Sequence, residues 1–316
     1  MDRQRTLSSS GVPQLLLLGL LWGAIFPIAR IGVEAGADPF LLVVLDLLLA
    51  TAVMAPIALV TRTPRPPLRT AAESIGLGAL LIGGINLPLY WGLRIATGGT
   101  ASIVYATAPI LSLVVLWVVG TSAAIHLRQA GALVVGLAGV VLLGFAATGS
   151  SLVAGLGALA AFGIGAACQG VGAVLVGRAR PKGEDHWGLT FQFVGGATAA
   201  LIALPFLSRS PALPLSVPTV GSIVYVGVFG VVTGYTLFFG MIHRFGAVRA
   251  NQVTFLSPVV AVCAGVLVFG ERFQPLEGAA LVAIVIALAL LQPSSKPAPT
   301  GPVSSDTRVS EAEVVS

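Results

Sequence analysis

Long apolar segments separated by short connections are the feature that most limits what this chain can fold into. A helix that crosses the hydrocarbon core of a bilayer needs about 20 mostly apolar residues. Segments of that kind follow one another along the 316 residues, at 12–32, 39–60, 72–92, 99–119, 128–147, 152–176, 187–207, 219–240, 248–269 and 275–292. They predict an all-α integral membrane protein with ten transmembrane helices.

The composition agrees with a membrane protein and argues against other classes. Charged residues make up only 9% of the chain, whereas a soluble domain carries about 25%. The formal net charge is +5, but the basic residues form no continuous stripe, so we expect no nucleic-acid partner. Cys168 and Cys263 both fall inside apolar runs and offer neither a disulfide framework nor a zinc site. No cofactor or metal is predicted.

The positions of lysine and arginine predict the orientation. If the N terminus is cytosolic, four of the 17 basic residues lie outside and the remaining thirteen lie inside. The four outside are Arg30, Arg94, Arg209 and Arg272. The positive-inside rule then places both termini in the cytosol of an inner or plasma membrane, with a cytosolic segment over 1–11. The tail over 293–316 lacks apolar periodicity and is predicted to be disordered.

Two matching stretches indicate a duplication. ASIVYATAP, which starts at Ala101, and ANQVTFLSP, which starts at Ala250, each end in a proline inside an apolar run. Each half of the chain holds five predicted helices, so the second half must enter the membrane from the opposite side. The chain is therefore predicted to contain two inverted repeats, over 12–147 and 152–292, as many secondary transporters do.

Pro109 and Pro258 lie about ten residues into their helices, which puts them about 15 Å deep, near the bilayer midplane. Proline removes a helix hydrogen bond and frees the carbonyl four residues earlier, here that of Tyr105 and that of Thr254. A single proline of this kind often serves only packing. Because the two prolines are placed symmetrically, we expect both to be hinges.

Several motifs resemble those of EamA-type transporters of the drug/metabolite transporter superfamily. Trp22 with Gly23 resembles the family's first helix, and Gly246, Pro258 and Gly270 stand at family-like spacing in the second repeat. The resemblance covers residues 12–292. It implies ten helices in two inverted halves and export of small metabolites or drugs. It also implies a cavity lined mainly by the first, third, fourth, sixth, eighth and ninth helices.

The chain departs from the family pattern at two points. A Gly-Glu pair usually follows the family's fourth helix, where this chain has Gly120 and Thr121. The family's second helix commonly has an arginine where this chain has Asp46.

Asp46 is the one acidic residue clearly inside a predicted helix. Placing a carboxylate there costs about 2.5 to 3.5 kcal/mol on insertion scales, so it should face a cavity or a partner. Three interpretations stay open. Asp46 could carry the coupling proton during transport, it could form a structural pair with Arg94 or Arg30, or it could lie at the outer mouth or against lipid.

Polar and aromatic residues at mid-depth predict a substrate cavity. Aromatic walls with a few polar groups suit small amphipathic ligands. Each of these residues could instead only hold neighbouring helices together, for example by a hydrogen bond, and contact no ligand. The candidates are Trp22, Asn86, Tyr90, Trp91, Tyr105, Thr107, Gln169, Tyr235, Asn251, Gln252 and Thr254.

We therefore predict a secondary-active transporter, not an enzyme, that exports small metabolites or drugs by alternating access and could be coupled to protons. Its predicted partners are a small-molecule substrate and the lipid bilayer, and the sequence leaves the oligomeric state open. A membrane-embedded enzyme is one alternative, but an aspartyl protease needs two intramembrane acids. A passive channel or facilitator is the other alternative. No ATP-binding P-loop motif occurs in the sequence.

Overall fold

The computed structural model describes residues 2–119, 152–178, 186–208, 211–270 and 275–291, with a few isolated positions between 131 and 139. This part of the chain is helical and contains no strand. The helices are α1 (Asp2–Glu34), α2 (Pro39–Val60), α3 (Leu68–Leu93), α4 (Gly98–Val118), α5 (Leu152–Arg178), α6 (His186–Leu207), α7 (Val217–Phe245), α8 (Ala247–Ala250, Asn251–Phe255 and Leu256–Phe269) and α9 (Pro275–Leu291).

The helices coincide with the predicted apolar segments to within a few residues, except that α1 begins at Asp2, well before the predicted start at residue 12. The fifth predicted segment, 128–147, lies outside the described residues apart from the isolated positions. The ten-helix architecture therefore stays a prediction. Residues 293–316 also lie outside the described part, as do Gly120 and Thr121.

Seven helices in the described part are long and apolar enough to cross a membrane. They are α1 to α7, with α1 counted from Pro13 and α5 from Gly155. Large apolar side chains point outward, and Phe206 and Leu267 are each 84% exposed. An apolar outer surface of this kind marks contact with lipid rather than water. The chain is a multi-pass membrane protein.

Helix contacts follow a regular correspondence. α1 packs along α8 and α4 packs along α5. α3 contacts α5 and α6, while α7 contacts α1 and α2. We match α1 with α5, α2 with α6, α3 with α7 and α4 with α8. The contact of α1 with α8 then corresponds to that of α5 with α4. The contacts of α3 with α5 and α6 correspond to those of α7 with α1 and α2. The contact between α2 and α6 is its own equivalent.

Glycines allow two equivalent close approaches between helices. A Cβ atom on Gly78 of α3 would overlap the backbone of Gln192 in α6. A Cβ atom on Gly227 of α7 would lie 2.9 Å from the carbonyl oxygen of Asp46 in α2. Small residues let helix backbones approach closely in membranes. These two crossings therefore fix α3 on α6 and α7 on α2.

Irregular backbone also occurs in matched positions. α3 contains a π-helical segment over Ala79–Gly83, and α7 contains one over Tyr225–Thr233. α4 is interrupted between Tyr105 and Ala108, just before Pro109, and α8 has a 3₁₀ turn over Asn251–Phe255, just before Pro258. Proline cannot donate the helix hydrogen bond at its own position, which explains the interruptions.

Two contacts near the helix ends join α1–α4 to α5–α8. Asp38 caps α2 by accepting from the backbone N–H groups of Phe40 and Leu41, at 2.9 and 3.0 Å. Its other carboxylate oxygen accepts from the Ser208 hydroxyl at 2.6 Å. At the other end of α2, the Trp187 indole donates to the Thr63 carbonyl at 3.1 Å.

Candidate substrate cavity

A cavity lies among α1, α3, α4, α5, α7 and α8. These are the same six helices, counted along the ten predicted segments, that the family resemblance implies. The cavity holds about 500 Å³ of space not filled by atoms, including its opening. Its lining consists of Trp22, Ile25, Phe26, Ile85, Asn86, Leu89, Tyr105, Gln169, Gly230, Val231, Tyr235, Thr254 and Ser257.

Four aromatic rings form much of the wall. Trp22 meets Tyr235 edge to face with ring centroids 5.5 Å apart, and Phe26 meets Tyr105 in the same way at 5.8 Å. Such edge-to-face pairs are a favoured aromatic geometry. Each pair joins a residue of α1 to a more distant helix, so the rings hold the cavity walls together.

Hydrogen bonds to backbone fix two of these rings. The Trp22 indole donates to the carbonyl of Gly230 at 3.0 Å, inside the π-helical segment of α7. The Tyr105 hydroxyl donates to the carbonyl of Ile85 at 2.7 Å, just after the π-helical segment of α3. Each bond ties a ring of the cavity wall to the backbone of a different helix.

The polar lining residues also donate within the protein. The Asn86 amide donates to the Ile82 carbonyl at 2.8 Å, and the Thr254 hydroxyl donates to the Asn251 carbonyl at 2.7 Å. The Gln169 amide donates to the side-chain oxygen of Asn251 at 3.1 Å. These bonds orient each side chain and use one N–H of each amide and the hydroxyl proton of Thr254.

A buried hydrogen-bond chain lies behind Gln169. Asn251 donates to the Ser112 hydroxyl at 2.8 Å, and Ser112 donates to the Gly170 carbonyl at 3.2 Å. The chain ties α8 to α4 and α5, the helices that meet on this side of the cavity. Sequence reasoning did not single out Ser112. Its position three residues after Pro109, in an otherwise apolar run, is the signal that could have found it.

The structure separates the predicted cavity residues into two groups. Trp22, Asn86, Tyr105, Gln169, Tyr235 and Thr254 line the cavity. The others do not. Asn251 lies behind the wall in the hydrogen-bond chain, Thr107 donates to the Val104 carbonyl, and Trp91 lies beside Gly157 of α5. Tyr90 is buried against Asp46. The side chain of Gln252 lies outside the described part.

Most lining residues that sequence reasoning missed are apolar: Ile25, Phe26, Ile85, Leu89, Gly230 and Val231. Chemistry alone does not distinguish them from other membrane residues. The clearest signal is helical spacing, since Phe26 lies one turn after Trp22. Ser257 was also missed and directly precedes Pro258.

Asp46 has a hydroxyl partner rather than Arg94. The side chain is only 2% exposed, and its Oδ2 accepts from the Tyr90 hydroxyl at 2.5 Å. Its Oδ1 has no hydrogen-bond partner among the described residues. Arg94 is exposed, and Arg30 pairs with Glu34 at 2.7 Å. Most buried polar side-chain atoms in folded proteins have a hydrogen-bond partner, so the unpaired Oδ1 is unusual.

Gln192 is the counterpart of Asp46 in α6. The backbone of Gln192 lies against Gly78 of α3, and the backbone of Asp46 lies against Gly227 of α7. Both α3 and α7 contain a π-helical segment. The side-chain oxygen of Gln192 also has no partner among the described residues. Only Asp46 can exchange a proton, so the two equivalent positions differ in chemistry. In the same described part, no cluster of three or more His, Cys, Asp and Glu side chains could hold a metal ion.

Comparison with known proteins identifies the family. The sequence model of the EamA-like transporter family matches residues 9–145 and again residues 155–292. The chain is 24% identical over 287 residues to the uncharacterized transporter YvbV of Bacillus subtilis, covering 89% of this chain and 91% of the relative. It is 25% identical over 278 residues to the uncharacterized inner membrane transporter YedA of Escherichia coli, covering 88% and 89%.

A solved crystal structure has a similar fold. It is 22% identical in sequence, it superposes with a TM-score of 0.65, and the match covers 89% of this chain and 96% of that one. This likeness shows the fold alone. Because the family model matches most of the sequence in two successive copies, the chain belongs to the EamA-like transporter family.

Proposed function

We propose that this transporter exports small metabolites or drugs by alternating access, driven by proton uptake through Asp46. The observation that carries the proposal is the cavity, whose walls come from both halves of the chain and adjoin irregular backbone in four helices. Transporter sites commonly lie between repeats, next to discontinuous helices. Rocking of one half against the other would open the cavity to each side in turn, with Pro109 and Pro258 as hinges.

Three observations support two inverted repeats in a ten-helix bundle. The family model matches the chain twice in succession. The helix contacts map onto one another when α1–α4 are matched with α5–α8. The π-helical segments and the proline interruptions also fall in matched helices. An inverted pair of this kind can adopt two equivalent states that face opposite sides of the membrane.

The proposed orientation places both termini in the cytosol. Its support is the excess of lysine and arginine in the connections assigned to the inside. The name of the Escherichia coli relative assigns that protein to the inner membrane, which agrees with an inner or plasma membrane for this chain.

Asp46 is the proposed proton carrier because its environment cannot stabilise both protonation states equally. Tyr90 satisfies one carboxyl oxygen and no described residue satisfies the other. An ionised carboxylate without a cation is costly in a low-dielectric site. Protonation from the outside would remove that cost, and exposure to the cytosol would release the proton. A membrane potential supplies about 2.3 kcal/mol per charge per 100 mV.

Transport into inside-out membrane vesicles tests the proposal. Energised vesicles that contain the protein should accumulate substrate from a panel of amino acids and cationic drugs, and empty-vector vesicles should not. A protonophore should abolish the accumulation. A passive facilitator would only equilibrate the substrate, and a membrane-embedded enzyme would convert it chemically. Either result would replace the exporter proposal.

The variant Asp46→Asn tests the coupling group. We expect it to lose uphill accumulation at least tenfold, while substrate still equilibrates across the vesicle membrane, because asparagine cannot carry a proton. Glu73→Gln is the matched control, since Glu73 is an exposed acid that pairs with Arg69 of the same helix. Full uphill transport by Asp46→Asn would exclude Asp46 as the coupling group.

A further inference from the structure

The chemistry of the cavity lining points to a class of ligand. We propose that the cavity binds monovalent organic cations, such as quaternary ammonium compounds and alkylated amines, in preference to neutral or anionic molecules. This inference rests on the proposed export function and names its substrate class. It follows from three features of the lining: its rings, its hydrogen-bonding atoms and its lack of charge.

Aromatic faces provide the main attraction for a cation. Trp22, Phe26, Tyr105 and Tyr235 all contribute rings to the same cavity. The face of an aromatic ring carries negative electrostatic potential, and it attracts a cation that lies within about 6 Å of the ring centre. A set of such rings around one ligand is a common way to recognise quaternary ammonium groups.

The hydrogen-bonding atoms add to that preference. The donors of Trp22, Tyr105 and Thr254 are already used by backbone carbonyls. One N–H of Asn86 and one of Gln169 are also used within the protein. What these residues still offer a ligand is the lone pairs of their oxygen atoms and the second N–H of each amide group, and the hydroxyls of Tyr235 and Ser257 also line the cavity. Lone pairs suit the positive edge of an ammonium group and repel a carboxylate.

Among the described residues, the lining contains no lysine, arginine or histidine, and it contains no acidic residue. A carboxylate or phosphate ligand would therefore enter a largely apolar site without a positive partner, which is costly. Recognition of such anions normally uses arginine or lysine. An alkylated ammonium ion is weakly hydrated because its charge is shielded by methyl groups, so it loses less on leaving water.

A set of three ligands with nearly the same shape tests the charge preference. Choline is the cation, the alcohol in which carbon replaces its nitrogen is the neutral form, and the tert-butylacetate anion is the carboxylate. Binding to the purified full-length protein in detergent is measured by calorimetry or by tryptophan fluorescence. We expect choline to bind at least tenfold more tightly than the alcohol, and the anion not to bind.

Variants then locate the binding site. Phe26→Leu removes one ring and no hydrogen bond, so we expect it to weaken choline binding several-fold and to leave binding of the neutral alcohol unchanged. Phe206→Leu is the control because Phe206 is exposed on the outer surface. Correct folding of both variants is checked by size-exclusion chromatography and thermal unfolding.

The possible outcomes separate this inference from the proposed function. Equal or tighter binding of the alcohol or the anion, or no binding of choline, overturns the cation preference. If vesicles still accumulate another compound, the exporter proposal stands. If no compound of any charge accumulates in energised vesicles, the exporter proposal fails as well. Weaker choline binding in Phe206→Leu than in Phe26→Leu would move the site away from the cavity.

Discussion

Gly78 shows how little space separates the helices where α3 crosses α6. The backbone of Gln192 occupies the place that a Cβ atom on Gly78 would need. A backbone cannot move aside as a flexible side chain can. Gly76, two residues earlier in the same helix, has nothing within 4 Å of the equivalent Cβ position. Replacing each glycine by alanine changes helix propensity at both positions but creates a steric overlap only at Gly78. Comparing the two variants therefore separates the effect of packing from the effect of helix propensity.

We expect Gly78→Ala to destabilise the protein by about 1 to 3 kcal/mol, the usual cost of overpacking. Gly76→Ala should be neutral or stabilising, because alanine is favoured over glycine in a helix by about 1 kcal/mol. Thermal unfolding of both variants in detergent, compared with the unmodified protein, measures the difference. Equal stability of the two variants would contradict the close crossing of α3 and α6.

At the residue scale, the sequence predicted which side chains are polar or aromatic but not always which way they face. Asn86 and Tyr90 were both predicted to line the cavity as polar or aromatic residues at mid-depth, and they lie four residues apart, about 40° around a helix. In the structure only Asn86 of the two lines the cavity, because the Tyr90 hydroxyl donates to the buried Asp46 carboxylate. A long-range contact of this kind leaves no trace in local sequence spacing.

At the element scale, the interrupted helices distinguish this fold from a bundle of regular helices. The break before Pro109 and the 3₁₀ turn before Pro258 were expected from the sequence because proline lacks the donor that a helix needs. The π-helical segments were not expected. They contain no proline, and the contact of one of them with Trp22 joins residues that lie far apart in sequence.

Replacement of the prolines tests their role as hinges. We expect Pro109→Ala and Pro258→Ala each to slow transport several-fold without reducing expression, because alanine restores a helix donor and straightens the helix. Pro205→Ala is the control, since Pro205 lies inside α6 away from the cavity. Initial rates in inside-out vesicles give the comparison. Unchanged rates in both hinge variants would assign the prolines to packing alone.

At the scale of the whole molecule, the apolar segments were sufficient to predict a multi-pass helical membrane protein, and the described helices agree. The positions of the helices relative to one another were not predictable from those segments. Lipid-facing and core-facing residues are both apolar, so hydrophobic patterning alone does not say which helices touch. The pairing of α2 with α6, and the cavity enclosed by six other helices, depend on small residues and on polar contacts that only the folded chain reveals.

The proposed orientation has a direct test. In a background in which Cys168 and Cys263 are replaced by alanine, single cysteines are introduced as Arg65→Cys and Arg94→Cys, both at exposed positions. A membrane-impermeant maleimide added to intact cells should label the cysteine at position 94 and not the one at position 65. Permeabilised cells should show labelling of both. The reverse pattern in intact cells would invert the topology.

The two π-helical segments have a consequence for tolerance to changes in chain length. Each hydrogen bond in a π turn spans one residue more than in an α turn. The segments Ala79–Gly83 and Tyr225–Thr233 therefore each hold more residues than a regular α-helix of the same number of turns. Deletion of one residue inside either segment could be absorbed by a return to regular α-helix, whereas the same deletion elsewhere in α3 or α7 would rotate everything after it by about 100°. These two segments are where a membrane helix of this protein can change length and still present the same residues to the cavity.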